Sequence, residues 1–202
     1  DDSLGYELTL FYMDRDNAQL SQSSQQVAFD PNSFVFVTYN GDARSYGLEA
    51  SLVWQISDAL SLHGSLGLLN TRIRDTVNAS QVSPEAVNRD LAHAPPYTLN
   101  VGASYRGASG WFGRIDLNAI DSFYFDISHN QKSKAYQLVN LRIGKQWDAW
   151  TVSLWARNLF NEHYATRGFY FGHEPPAFEN TLYTRFGDPR SYGLSLSYHY
   201  AN

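Results

Sequence analysis

The sequence predicts an all-β fold, an antiparallel up-and-down transmembrane β-barrel of about eight strands, on three observations. Apolar and polar residues alternate with a two-residue period in segment after segment, the mark of a strand with one dry face and one wet face. The links between these segments are alternately short and long, as in outer-membrane barrels with tight periplasmic turns and long extracellular loops. The apolar faces carry aromatic residues at their ends and aliphatic ones between, the arrangement that lipid–water interfaces select. The last segment shows it best: Tyr192, Leu194, Leu196, Tyr198 and Tyr200 alternate with Ser191, Gly193, Ser195, Ser197 and His199.

Composition narrows the alternatives. The 202 residues include no cysteine, one methionine, five Trp, fourteen Tyr and twelve Phe. Without cysteine there is no disulfide framework and no thiolate metal site. A formal net charge of -5 argues against nucleic acid as a main partner, since phosphate binding needs a basic surface. No apolar run reaches the ~18 residues of a transmembrane helix, and a negative mean hydropathy suits barrel strands, which are half polar. The opening residues Asp1-Asp2-Ser3-Leu4 do not form a signal peptide, so a mature chain or a piece of a longer one is expected.

Element by element, Leu4, Tyr6, Leu8, Leu10 and Tyr12 alternate with Gly5, Glu7, Thr9 and Phe11. Tyr46, Leu48, Ala50, Leu52, Trp54 and Ile56 follow, with Val53 as an exception on the polar side. Leu60, Leu62, Leu66 and Leu68 oppose Ser61, His63, Ser65 and Gly67, and Tyr97–Tyr105 opposes Thr98–Arg106 without a fault. Trp111, Ile115, Leu117 and Ala119 come next, interrupted by Gly113; then Val139, Leu141, Ile143; then Val152, Leu154, Ala156, with Trp155 as the exception. Short links fall at Ser57-Asp58-Ala59, Gly107–Gly110 and Asp148-Ala149, and long polar ones at Asp14–Ser33, Asp75–Pro95, Ile127–Ser133 and Arg167–Pro189. Eight strands result, over 3–13, 34–56, 60–74, 96–106, 111–126, 134–147, 150–165 and 190–200. The second exceeds one membrane crossing and is expected to project above it, with Gly41 as a bend or bulge. The first strand ascends and the last descends. Tyr97 to Tyr105 spans about 26 Å at ~3.3 Å per residue, which a tilt of about 40° reduces to about 20 Å of bilayer. A soluble sandwich or lipocalin-like barrel also alternates, but it places its bulky aromatics mid-core and its long loops at both ends.

The C-terminal third adds motifs. Trp155-Ala156-Arg157-Asn158-Leu159-Phe160-Asn161-Glu162-His163-Tyr164, then Arg167-Gly168-Phe169, then Gly187-Asp188-Pro189-Arg190-Ser191-Tyr192-Gly193 and a closing strand resemble the C-terminal end of TonB-dependent outer-membrane receptors. Asn40–Glu49 is similar to the family's N-x-x-x-x-S-x-G-x-E strand, and Ala94-Pro95-Pro96-Tyr97 to its passage from loop into strand. The resemblance implies residues 1–202 to be the C-terminal portion of a barrel of 22 strands without its plug. It implies location in the outer membrane of a Gram-negative bacterium and TonB-energised uptake of a scarce nutrient, foremost a ferric siderophore or another iron complex. The implied partners are outer-membrane lipid, the TonB complex through the plug region, an extracellular iron complex and the outer-membrane assembly machinery. The strand bearing Tyr192, Leu194, Leu196, Tyr198 and Tyr200 would close the barrel, although Ala201-Asn202 follow where the family ends on the aromatic. The alternative is a free-standing eight-stranded barrel with a structural or adhesion role, whose lumen side chains would fill.

Candidate residues divide as follows. Glu7, Glu49, Arg114, Asp116, Arg142 and Arg157 fall on polar faces and read first as a lumenal charge network meeting plug or water, second as a substrate path. Arg167, Phe169, Tyr170, Phe171 and His173 form a candidate ligand-contacting loop, with Phe178 and Tyr183 beside it. Aromatic loops contact ligands and equally pack over barrel mouths. His173-Glu174, His163 and His129 match no zinc spacing; neither metal nor cofactor is expected. Asn158 is suited to bonding local backbone. Ser153 and His63 share the polar side without a G-x-S-x-G elbow, and no enzyme is expected.

Overall fold

A computed structural model describes residues 3–76 and 87–200. These form ten strands: β1 (Leu4–Gln25), β2 (Phe34–Ser57), β3 (Leu60–Thr76), β4 (Tyr97–Arg106), β5 (Trp111–Ile120), β6 (Tyr136–Trp147), β7 (Trp150–Arg157), β8 (Ala165–Phe171), β9 (Thr181–Phe186) and β10 (Ser191–Tyr198). Eight of them make one antiparallel sheet in the order β1-β2-β3-β4-β5-β6-β7-β10, and β8 and β9 form a separate hairpin. β1 and β10 are the sheet's two edges and do not pair with each other. The all-β antiparallel architecture of the sequence reading holds.

All three tight turns lie at one end of the sheet. Ser57 pairs with Leu60 and Trp147 with Trp150 around two-residue turns, the second using Asp148 at φ 45°. In the third, Gly110 adopts φ 82°, and a Cβ there would collide with the Gln146 carbonyl oxygen. Only glycine satisfies both conditions. The described parts of the long connections, and the β8–β9 hairpin, sit at the opposite, loop end.

Several boundaries differ from the sequence reading. The first strand does not stop at 13: β1 pairs with β2 as far as Gln25↔Phe34, with a register shift between Arg15 and Ala18 opposite Gly41–Ala43. Backbone groups hold this extension, so its side chains need not alternate. Strand 111–126 ends at Ile120, because Phe123 and Phe125 turn into a small interior and become buried. Strand 150–165 ends at Arg157. There Asn158 takes φ 47°, donates from Nδ2 to the oxygens of Glu162 (2.9 Å) and Asp188 (3.1 Å), and accepts the Glu162 amide at 2.8 Å. The stretch 167–189 is not one irregular loop; it holds β8 and β9. Tyr200 lies beyond β10, Ala201-Asn202 and residues 77–86 lie outside the described residues.

The two faces are unlike. On the apolar face, cross-strand rows run Leu8↔Ala50↔Leu66, Leu10↔Leu48↔Leu68 and Tyr12↔Tyr46↔Asn70. This face is uncovered by protein: Leu10 is 74% and Leu194 66% exposed, far beyond what water tolerates over a continuous surface. Tyr12, Tyr46, Tyr97 and Tyr192 border it at the loop end; Trp54, Tyr105, Trp111, Trp150 and Tyr198 border it at the turn end.

On the polar face, rings lie across glycines of the neighbouring strand. Phe11 opposes Gly47, His63 opposes Gly102, Phe112 opposes Gly144 and Trp155 opposes Gly193. In each pair an added Cβ would meet the ring. A ring over a glycine restores the side-chain contact that the glycine lacks, which explains why Trp155 sits on the wet side. What little core exists lies at the loop end, where Leu20, Ile73 and Ile127 pack with Leu91 and Ala92.

Candidate functional site

The loop end carries the most constructed cluster of side chains. Arg89, only 7% exposed, donates to Asn130 Oδ1 (2.9 Å) and to the carbonyls of Asp126 (2.8 Å) and His129 (2.6 Å). It also lies over the Tyr124 ring at 4.3 Å. It thereby ties the segment that leads into β4 to the β5–β6 connection. Within that connection Asp126 accepts the amides of Ser128 (2.8 Å) and His129 (2.7 Å) and His129 Nδ1 at 2.8 Å. Burial alone would raise the Asp126 carboxyl, but the bonds and charge of His129 and these amides outweigh it and hold it below the ordinary value.

His129 then joins the β8–β9 hairpin. Its ring stacks on Tyr170 at 3.6 Å, and its Nε2 lies 3.3 Å from Asn180 Nδ2. Tyr170 is buried, its hydroxyl has no hydrogen-bond partner, and burial, then Asp126, push that hydroxyl up. Phe171 packs on Phe34 at 4.8 Å and on His173 at 4.8 Å. Gln25 Nε2 donates to the Phe178 carbonyl at 3.1 Å. The tip of the β1–β2 ribbon and the β8–β9 hairpin, sequence-distant elements, thus touch across the loop end.

Between these elements lies a cavity of about 450 Å³, lined by Phe36, His93, Phe125, Asp126, Arg167 and Phe169 among others. Burial, and then the neighbouring Arg167 guanidinium, lower the His93 pKa. Phe169 also stacks on Tyr183 at 5.7 Å. Of the five loop residues singled out from sequence, Arg167 and Phe169 line this cavity, Tyr170 stacks on His129, and Phe171 packs between Phe34 of β2 and His173. His93 and Arg89 escaped the sequence reading. Neither stands in a strand pattern; Arg89 is marked by its burial and His93 by its place at the cavity.

The polar face of the sheet is a second candidate surface. Arg114 grips Asp116 with two bonds of 2.8 Å, and His63 Nε2 lies 2.9 Å from the same carboxylate. Arg142 Nε donates to Ser153 Oγ at 3.1 Å. Ser153 and His63 therefore belong to separate groups. Glu7 and Glu49 border one hollow of this face, over β1–β4, and Arg114, Arg142 and Arg157 another, over β5–β7. Among the described residues no three metal-ligating side chains converge.

Comparison with known proteins places this geometry. The family described as TonB dependent receptor-like, beta-barrel matches residues 1–159. The ferric yersiniabactin uptake receptor FyuA of Yersinia pestis superposes with a TM-score of 0.76 at 17% identity, over 98% of this chain and 28% of its own. The siderophore receptor PiuA of Acinetobacter baumannii gives 0.73 at 14%, over 98% and 26%. The copper transporter OprC gives 0.68 at 15%, over 98% and 29%. The chain thus spans somewhat over a quarter of the length of these structures.

Proposed function

We propose that this chain, which belongs to the TonB-dependent receptor β-barrel family, forms part of the wall of a larger outer-membrane barrel that takes up a metal complex, foremost a ferric siderophore. The sheet supports the larger barrel: β1 and β10 each offer an unpaired edge, and lone strand edges are costly where no water can satisfy them. The apolar face then meets lipid, the polar face lines the lumen, and the loop end is extracellular. Residues 1–202 carry barrel wall throughout, and β10 closes it against a strand supplied by the rest of the receptor. The TonB complex would act through a plug in the lumen, where the acidic and basic hollows meet it.

The observation that carries the ligand reading is the loop-end cavity. Arg167 and the aromatic rings of Phe36, Phe125 and Phe169 give one cation and flat apolar walls, which suit an anionic complex with aromatic or planar chelating groups. Iron is favoured over copper because Asp126, the carboxylate at the cavity, is already spent on His129 and two amides, so the wall recognises a chelate instead of ligating bare metal.

The test uses a Gram-negative strain lacking the full-length receptor, complemented or not, under iron limitation. Radiolabelled ferric catecholate, ferric citrate and ferric hydroxamate chelates and copper(II) are offered as probes. Accumulation of a ferric chelate only in the complemented cells, abolished by a protonophore, is expected. Arg167→Ala should lower uptake at limiting chelate by about tenfold, the scale of one charge-assisted contact. Uptake that survives the protonophore, or is confined to copper, would overturn the reading.

A further inference from the structure

We infer that Arg157, Arg142 and Arg106 form a ladder down the polar wall, along which an anionic metal chelate passes from the loop-end cavity toward the tight turns. This rests on the uptake reading above and adds to the Arg167 cavity a second, inner set of contacts. The three residues stand on consecutive rows of the polar face. Arg157 ends β7 at the loop end. One row lower Trp155 pairs with Arg142, and one row lower again Arg106 pairs with Phe112, Phe112 with Gly144 and Gly144 with Ser153. Each step is two residues, about 6.6 Å along the strand. Beyond Arg157 the chain runs through the Asn158 turn into β8 and Arg167, so the top rung and the cation of the cavity belong to adjoining elements.

Every rung is built the same way. The Phe112 ring lies across Gly144 and carries the guanidinium groups of Arg142 and Arg106, each at 5.7 Å. The Trp155 ring lies across Gly193 and carries that of Arg157 at 5.5 Å. An aromatic face holds a cation without consuming its N–H donors. Carboxylates do not consume them either: Arg114 is bound to Asp116, but among the described residues Arg106, Arg142 and Arg157 form no ion pair. Arg142 gives one donor to Ser153 Oγ at 3.1 Å. All three side chains are exposed, so their planar forks stand open to oxygen anions.

The open space follows the same line. A hollow of about 290 Å³ is bordered by Arg157, Trp155 and Arg142, and another of about 540 Å³ by Arg142, Phe112 and Arg106; Arg142 and Arg114 line both. Besides Asp116, already bound, the one carboxylate at either hollow is Asp58, in the turn at the lower end. The wall over β1–β4 has the opposite charge, with Glu7 and Glu49 at its hollow. An anion in the lumen is therefore drawn to the β5–β7 side and repelled from the other. The plug of the proposed receptor fills the lumen at rest, so the ladder serves the complex as it passes between plug and wall. Several modest contacts in series suit passage better than one tight site, because a permeating ion must also leave.

The experiment uses the full-length receptor in a Gram-negative strain lacking it, with radiolabelled ferric citrate, ferric catecholate and the neutral ferric hydroxamate as probes. Binding is read on cells treated with a protonophore, and uptake on energised cells. The triple variant Arg106→Gln/Arg142→Gln/Arg157→Gln should bind the anionic chelate as tightly as wild type at the loop end. It should take the chelate up about tenfold more slowly, the scale of a lost bond to a charged group. The corresponding triple Lys variant, which keeps the charges, should recover most of the rate. Undiminished uptake by the Gln variant, or no recovery by the Lys variant, would overturn the ladder. So would new sensitivity of the Gln variant to vancomycin, which would assign these arginines to holding the plug. If the Gln variant does not reach the outer membrane, Arg106→Gln alone decides: severalfold slower uptake supports the ladder and an unchanged rate rules it out. A wild type that accumulates only the neutral hydroxamate also rules it out, whereas one that accumulates no ferric chelate sinks the uptake reading instead.

Discussion

Phe11, Phe112 and Trp155 break the polar pattern of their strands, yet each opposes a glycine of the next strand. The exceptions are thus halves of cross-strand pairs, and the cost of substituting the glycine depends on what surrounds it. A Cβ on Gly144 would meet the Phe112 ring, the Val152 carbonyl oxygen at 2.5 Å and the Ser153 Cβ at 2.8 Å. Backbone cannot step aside, so Gly144→Ala should destabilise the full barrel by about 1–3 kcal/mol. At Gly193 the three closest atoms all belong to the Trp155 indole, which can swing into the lumen. Gly193→Ala should cost less than about 1 kcal/mol, offset by the entropy removed from the unfolded chain. Thermal unfolding followed by loss of heat-modifiable migration measures both; equal costs would mean that the rings, not the backbone, set the limit.

The loops behave as one docked unit, pinned by Arg89 and by the His129–Tyr170 stack, and pH should loosen it. His93 has a lowered pKa from burial and Arg167, so its neutral form suits the docked state. Above its ordinary value near 6.5 the ring is neutral whether docked or not and docking is unaffected. As pH falls below that value, detached loops take up the proton more readily than docked ones, and docking weakens. Asp126 acts in the same direction at lower pH: its depressed value adds stability above the ordinary carboxylate range, lost as pH falls through the folded value. Hydrogen exchange, corrected for intrinsic rates, should therefore rise severalfold in 121–133 and 165–171 of the full receptor between pH 7.5 and 5.5. The variant His93→Phe should remove most of that difference; an unchanged pH response would exclude His93 as its source.

At the scale of the molecule, legibility in the sequence tracks the solvent. Where lipid touches the sheet, each strand must alternate, and Tyr97–Arg106 and Ser191–Tyr198 could be located from residue order alone. Beyond the tyrosine border nothing imposes alternation. The upper half of β1 (Leu4–Gln25) and the β8–β9 hairpin were invisible for that reason, since their pairing is carried by backbone groups that every residue shares. The candidate site was half legible. Arg167 and Phe169 stand out by composition, whereas His93 and Arg89 acquire meaning only when the loops fold together.

The β1–β2 ribbon has one more consequence. Its pairs continue from Tyr12↔Tyr46 to Gln25↔Phe34, a rise of about 40 Å at ~3.3 Å per residue. With the loop end outward, as proposed above, such a ribbon is a mast that carries Val27 and Phe29, 58% and 62% exposed, away from the membrane surface. The tip should then be accessible to antibodies on intact cells. An epitope tag inserted between Ala28 and Phe29 should be stained on intact cells, while one inserted between Asp148 and Ala149 should be stained only after permeabilisation. The reverse pattern would turn the whole barrel upside down.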